Sequence, residues 1–213
     1  MLQSLHIIKV RVTEGKMKVQ NLAKYNKLSK SISSIVNILF WIVLCLAVAS
    51  ILLTAGTRLF PNVINLSNSD GNFNISPDNI IRFEISTANM SQSGINDIYS
   101  LLFIGITVFL ILILLVLIQL RKILKNVVNE KPFAQENAKR MKNIGYIVMA
   151  GSVLIPVIKT FTVNRIINAF DLNNVSAVYK VNTEVLLIGL LIILFSAIFS
   201  YGTYLQTEYD ETI

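Results

Sequence analysis

The chain has 213 residues, 54% of them hydrophobic and only 15% charged, with a mean hydropathy of +0.62, which excludes an ordinary soluble domain and points to an integral membrane protein. The formal net charge is +7, but the lysines and arginines sit in blocks beside apolar runs. There they set topology or meet anionic lipid headgroups, so no direct nucleic acid binding is expected.

Residues 1–34 read as a basic cytoplasmic N-terminal segment with little structure of its own at residues 1–16. Glu14-Gly15-Lys16 ahead of Met17 back-translates to a purine-rich run of the kind that precedes a bacterial start codon, so Met1 and Met17 are both candidate starts. The first apolar run, about 35–55, is long enough to cross the roughly 30 Å hydrocarbon core at about 1.5 Å per residue. Ala47-Val48-Ala49 looks like a signal-peptidase site, but apolar residues continue past it, and a retained helix is expected. Cys45, inside this run, is the one cysteine and reads as a small buried apolar residue.

From about 56 to 97 the chemistry changes to turns and loops, with Pro61, Asn65, Pro77 and a Ser91 to Gly94 stretch. Ile81, Phe83 and Ile85 alternate with Arg82, Glu84 and Ser86, a half-buried strand pattern, and Asn72 to Ser76 can pair with it across a turn at Pro77-Asp78. A small extracytoplasmic β cap is therefore expected between the first and second helices. The second span, about 98–120, carries no charge.

The segment about 121–143 reads as a cytoplasmic hairpin. Arg121 and Lys122 continue the second helix, and Asn129 to Phe133 turn the chain, because the residue before a proline is biased away from helix. A new helix then starts with Gln135 and Glu136 in its first turn, where an acid suits the helix dipole. Phe133 is expected to plug between the two helical extensions. The third span, about 144–161, contains Pro156, which should kink or end the helix near its outer end, with a neighbouring helix satisfying the freed carbonyl.

Residues 162–183 form a polar connector, with Ile166, Ile167 and Phe170 pointing to a short interfacial helix. The fourth span, about 184–205, carries Ser196 and Ser200 at a small-xxx-small spacing, which leaves self-association as a homo-oligomer open. Residues 206–213 form an acidic tail. Counting basic residues gives fourteen beside the N-terminus and the hairpin against five in the other connectors. Omitting residues 1–16 leaves eleven against five, so both termini and the hairpin are expected in the cytoplasm.

The fold class expected is thus an all-α integral membrane protein with four transmembrane helices. Chemistry is scarce. The one histidine, His6, is remote in sequence from carboxylates and serines, and there is no HExxH, glycine-rich phosphate loop or nucleophile elbow. No enzyme, catalytic residue, cofactor or metal site is expected. Lys159 and Glu184 fall at similar depth near the outer helix ends and could form an interfacial ion pair.

The hairpin carries a more specific pattern, RKIL-x5-EKPF-x2-EN-x2-R-x3-IGY. It resembles the signature of a bacterial integral membrane family catalogued as a domain of unknown function (number 2975), over roughly residues 35–205. The matching residues are Arg121, Lys122, Ile123, Pro132, Phe133, Glu136, Asn137, Arg140, Ile144 and Gly145. The family has no assigned biochemical activity. Its members are often encoded beside a small helix-turn-helix repressor-like protein, so the resemblance implies a membrane partner of such a regulator in the bacterial inner membrane. The docking surface then expected is Arg121, Lys122, Pro132, Phe133, Glu136, Asn137 and Arg140. Other readings left open are an immunity or envelope-stress protein that binds an antimicrobial peptide or lipid, and a transporter accessory subunit.

Overall fold

The computed structural model describes residues 2–60, 72–75, 83–86, 92–169 and 176–211. Four long helices dominate it: α1 (Leu2–Leu59), α2 (Gln92–Val128), α3 (Gln135–Ala169) and α4 (Thr183–Glu211). Each contains a stretch long and apolar enough to cross a membrane: Asn26–Leu59, Asn96–Val128, Gln135–Ala169 and Thr183–Tyr209. The chain is a multi-pass membrane protein. Between α1 and α2, two short strands, β1 (Asn72–Ile75) and β2 (Phe83–Ser86), pair antiparallel with Asn72 opposite Ser86 and Ile75 opposite Phe83. Ile80 to Arg82 and the expected turn at Pro77-Asp78 lie outside the described residues.

The helices run further than the apolar runs indicated. The N-terminal segment is helical from Leu2, for residues 2–34 hold no proline and a single glycine, so nothing stops a helix that the following apolar run nucleates. The expected interfacial helix after residue 162 is instead the last two turns of α3, which reaches Ala169 without a break. Ile166 and Ile167 are buried there, and Phe170 lies outside the described residues. The expected tail is likewise continuous with α4 as far as Glu211.

Burial is inverted relative to a soluble protein. Among the described residues nine buried side chains are polar, including Ser50, Ser100, Ser152 and Ser196, against seven that are apolar. Large apolar side chains such as Trp41, Leu52, Leu187 and Ile198 are instead exposed. That is the pattern of helices solvated by hydrocarbon, which gain little by hiding apolar groups from lipid and associate through small residues and hydrogen bonds. Cys45 follows it, being exposed on α1 rather than buried as its sequence context predicted.

Two compact units divide the chain, one of Met1–Trp41, Leu115–Gly145 and Leu191–Ile213, the other of Ile42–Leu114 and Tyr146–Leu190. In the second unit, α1 and α2 are joined by a polar seam. The Ser50 hydroxyl donates to the Phe103 carbonyl at 3.0 Å and lies 2.7 Å from the Thr107 hydroxyl, and Arg58 Nε donates to the Ser100 hydroxyl at 2.8 Å. α2 and α3 approach closely at Gly105, where an added Cβ would meet Ile158 Cγ2 at 3.3 Å.

Pro156 does not end α3. It deprives the Ser152 carbonyl of its helical donor, four residues back, and the backbone N–H of Asn182 supplies the missing bond at 3.2 Å. Asn182 also caps α4, its side-chain oxygen accepting from the Val185 N–H at 3.2 Å, the usual reach of an N-cap to the third helical residue. One residue therefore both repairs the proline defect and starts the next helix.

Candidate functional site

The hairpin between α2 and α3 belongs wholly to the first unit. α2 closes in a Schellman motif, in which the Lys131 N–H bonds the Asn126 carbonyl at 2.9 Å and the Glu130 N–H bonds the Val127 carbonyl at 3.1 Å. This needs a left-handed residue at position 130, and Glu130 adopts φ 61° there. Glycine is the usual occupant because it has no Cβ to clash. Pro132 follows, where it cannot continue the helix.

Asn137 holds the turn together. Its side chain is 1% exposed. Its amide nitrogen donates to the Pro132 carbonyl at 2.9 Å and more weakly to that of Lys131 at 3.4 Å, while its oxygen accepts from Asn126 Nδ2 at 2.9 Å. A side-chain amide suits this position because it offers donors to two turn carbonyls and an acceptor to α2 at once. Arg140, one turn on, makes a second tie. Its Nη1 donates to the Lys122 carbonyl at 2.9 Å and its Nη2 pairs with Glu136 at 2.8 Å.

Two further signature residues, Arg121 and Phe133, make ring contacts within the chain. Arg121 lies over the Phe40 ring of α1, 4.3 Å from its centroid. Phe133 does not plug between α2 and α3 as expected. It stacks on Phe199 of α4, with centroids 5.4 Å apart and planes at 19°, and stays 51% exposed. The seven residues expected to form a docking surface all lie in the hairpin of the first unit, where Asn137 and Arg140 also bond its backbone.

Of the pair expected at the other helix ends, Glu184 lies exposed in the first turn of α4.

Three participants were missed by sequence reasoning. Asn126 is the α2 partner of Asn137, Ser196 donates to the Ala138 carbonyl at 2.7 Å, and Phe199 receives Phe133. A polar Asn126 on the flank of an otherwise apolar and basic helix end was a usable signal. The Phe199 contact had none, because it joins residues far apart in sequence.

A family model described as "Protein of unknown function (DUF2975)" matches residues 84–213, and the chain belongs to that family. The match takes in α2, the hairpin, α3 and α4, leaving α1 and β1 outside it. No curated protein and no solved structure matches the chain.

Proposed function

Starting from that membership, we propose that the protein is a non-enzymatic component of the bacterial cell membrane whose cytoplasmic hairpin docks a small helix-turn-helix regulator. Four crossings place both ends of the membrane domain on one side. The basic residues, fourteen against five, argue that this side and the hairpin are cytoplasmic and that the β1–β2 ribbon is outside.

The observation that supports docking is the combination of a fixed turn with an exposed aromatic. Asn137 and Arg140 tie down the hairpin backbone, so little ordering entropy remains to be lost on binding. Phe133 is held by Phe199 and still 51% exposed, beside the exposed Lys131. A rigid, half-buried aromatic flanked by charge is the usual centre of a protein interface.

The test is co-purification, with the full chain in native membranes, of a small helix-turn-helix protein of the kind encoded beside members of the family. Phe133→Ala and Lys131→Glu should each abolish capture, the second without disturbing the backbone bonds made by residue 131. Capture unchanged in both variants would remove the hairpin from the reading.

A further inference from the structure

α4 carries no charged residue from Val185 to Thr207, and the two faces of its stretch in the first unit differ. Ser196 and Thr203, two turns apart and so on one side of the helix, are buried, and Ser196 donates to the Ala138 carbonyl at 2.7 Å. The face bearing these small residues is therefore engaged inside the chain. On the other side Leu191, Leu194, Ile198, Tyr201 and Leu205 follow one another at alternating spacings of three and four residues, the a and d positions of a heptad. At about 100° per residue they form a stripe roughly 80° wide, opposite Ser196. Each is between 47% and 65% exposed.

Hydrocarbon accounts for exposed apolar side chains only as far as hydrocarbon reaches. Ser196 stands level with Ala138, six residues before the apolar run of α3 opens at Ile144, which is about 9 Å along the helix. Phe199 stacks on Phe133 in the hairpin turn. Ile198, Tyr201 and Leu205 therefore run beside the charged hairpin, in the headgroup layer and the water beyond it, where an apolar stripe of this length marks a protein contact. Gly202 lies at the edge of that stripe, and a Cβ built there would meet nothing within 4 Å. Glycine is the poorest helix former after proline, yet among the described residues no neighbour makes use of the space it leaves.

We propose that the stripe is the seam of a parallel homodimer, in which α4 of a second copy packs against Leu191, Leu194, Ile198, Tyr201 and Leu205 while Gly202 lets the two backbones close. Two copies inserted in the same sense are related by a two-fold axis along the membrane normal, so like residues meet at the same height. An uncharged face permits this without repulsion. The exposed area of the five side chains is on the order of 600 Å² per copy, and with the exposed Phe195 and Tyr204 beside them it approaches the roughly 800 Å² per partner of a stable interface. The proposal rests on the hairpin lying outside the hydrocarbon, which its basic residues require on either side of the membrane, and it needs no regulator.

The test is disulfide trapping of the full chain in native membranes, in a Cys45→Ser background. After mild oxidation Ile198→Cys and Tyr201→Cys should each run at twice the mass of the chain on a non-reducing gel, because like seam positions come within the roughly 4–7 Å Cα separation that a disulfide needs. Ser200→Cys, exposed at the same height on the far side of the helix, should stay monomeric. Gly202→Leu fills space that is open in the single chain, so far-UV circular dichroism should not change, while dimerisation followed by analytical ultracentrifugation in detergent should weaken roughly tenfold or more. Absence of a trapped dimer at both seam positions overturns the proposal, as does trapping of Ser200→Cys as efficient as that of Ile198→Cys, and these cysteines decide however Gly202→Leu folds. A folded Gly202→Leu with an unchanged association constant also overturns it. So does a trapped band that mass spectrometry identifies as this chain joined to a different protein, since the seam would then belong to that partner.

Discussion

Replacing Asn137 by aspartate changes one atom's chemistry and almost no volume, which makes it the sharpest probe of the hairpin. In the native turn the amide nitrogen faces the Pro132 carbonyl at 2.9 Å and that of Lys131 at 3.4 Å, and the amide oxygen takes a bond from Asn126 at 2.9 Å. The two short bonds contribute about 1 kcal/mol each, and stranding their buried partners adds the desolvation term, so Asn137→Ala should cost about 2–4 kcal/mol. In Asn137→Asp the nitrogen becomes an oxygen aimed at two carbonyl oxygens. Only the protonated acid can donate there, and it can supply one bond where the amide supplied two.

Burial among carbonyl oxygens raises the folded-state pKa of the new carboxyl above its unfolded value of about 3.9. The folded state then holds its proton more tightly than the unfolded one, so the variant is at its best below pH 4 and loses stability as pH rises from there through the folded pKa. At pH 7 it should be less stable than Asn137→Ala, and the order should narrow toward pH 5. The assay is reversible unfolding in mixed non-ionic detergent and dodecyl sulfate micelles, followed by far-UV ellipticity at each pH. An aspartate variant within about 0.5 kcal/mol of the native protein at pH 7, the scatter of neutral surface changes, would show that the amide does not donate to the turn.

Four further outcomes are expected. Glu130→Gly relieves the left-handed φ of 61° and should stabilise the protein by roughly 0.5–1 kcal/mol in the same assay, the strain relief exceeding glycine's entropic cost. Asn182→Ala removes the side-chain cap of α4 and should cost about 1 kcal/mol, its backbone N–H still bonding the Ser152 carbonyl, whereas Pro156→Ala lets α3 satisfy that carbonyl itself, seen as protection of the new residue 156 amide from exchange. Gly105→Leu should destabilise α2 against α3 by more than about 3 kcal/mol, because even a Cβ meets Ile158 at 3.3 Å and overpacking typically costs 1–3 kcal/mol; Gly105→Ala should be tolerated. In a Cys45→Ser background, a cysteine placed at Lys131 should react with a membrane-impermeant maleimide only in inverted vesicles, and labelling from the outside of intact cells would reverse the orientation proposed.

How much was legible in the sequence divides along physical lines. Runs such as residues 98–120 announce a span because length and apolarity are local properties, and Pro156 announces an orphaned carbonyl because the missing N–H is local too. Helix ends were less visible: residues 1–16 read as having little structure of their own, yet nothing in their composition breaks a helix that the following apolar run has already nucleated. The hairpin was found from its residues, but the bonds that shape it were not: Asn137 and Arg140 were expected on a docking surface, and their side chains also donate to carbonyls of the turn and of α2. The bond from Ser196 to the Ala138 carbonyl was beyond reach, since the two come together only through the packing of α3 on α4.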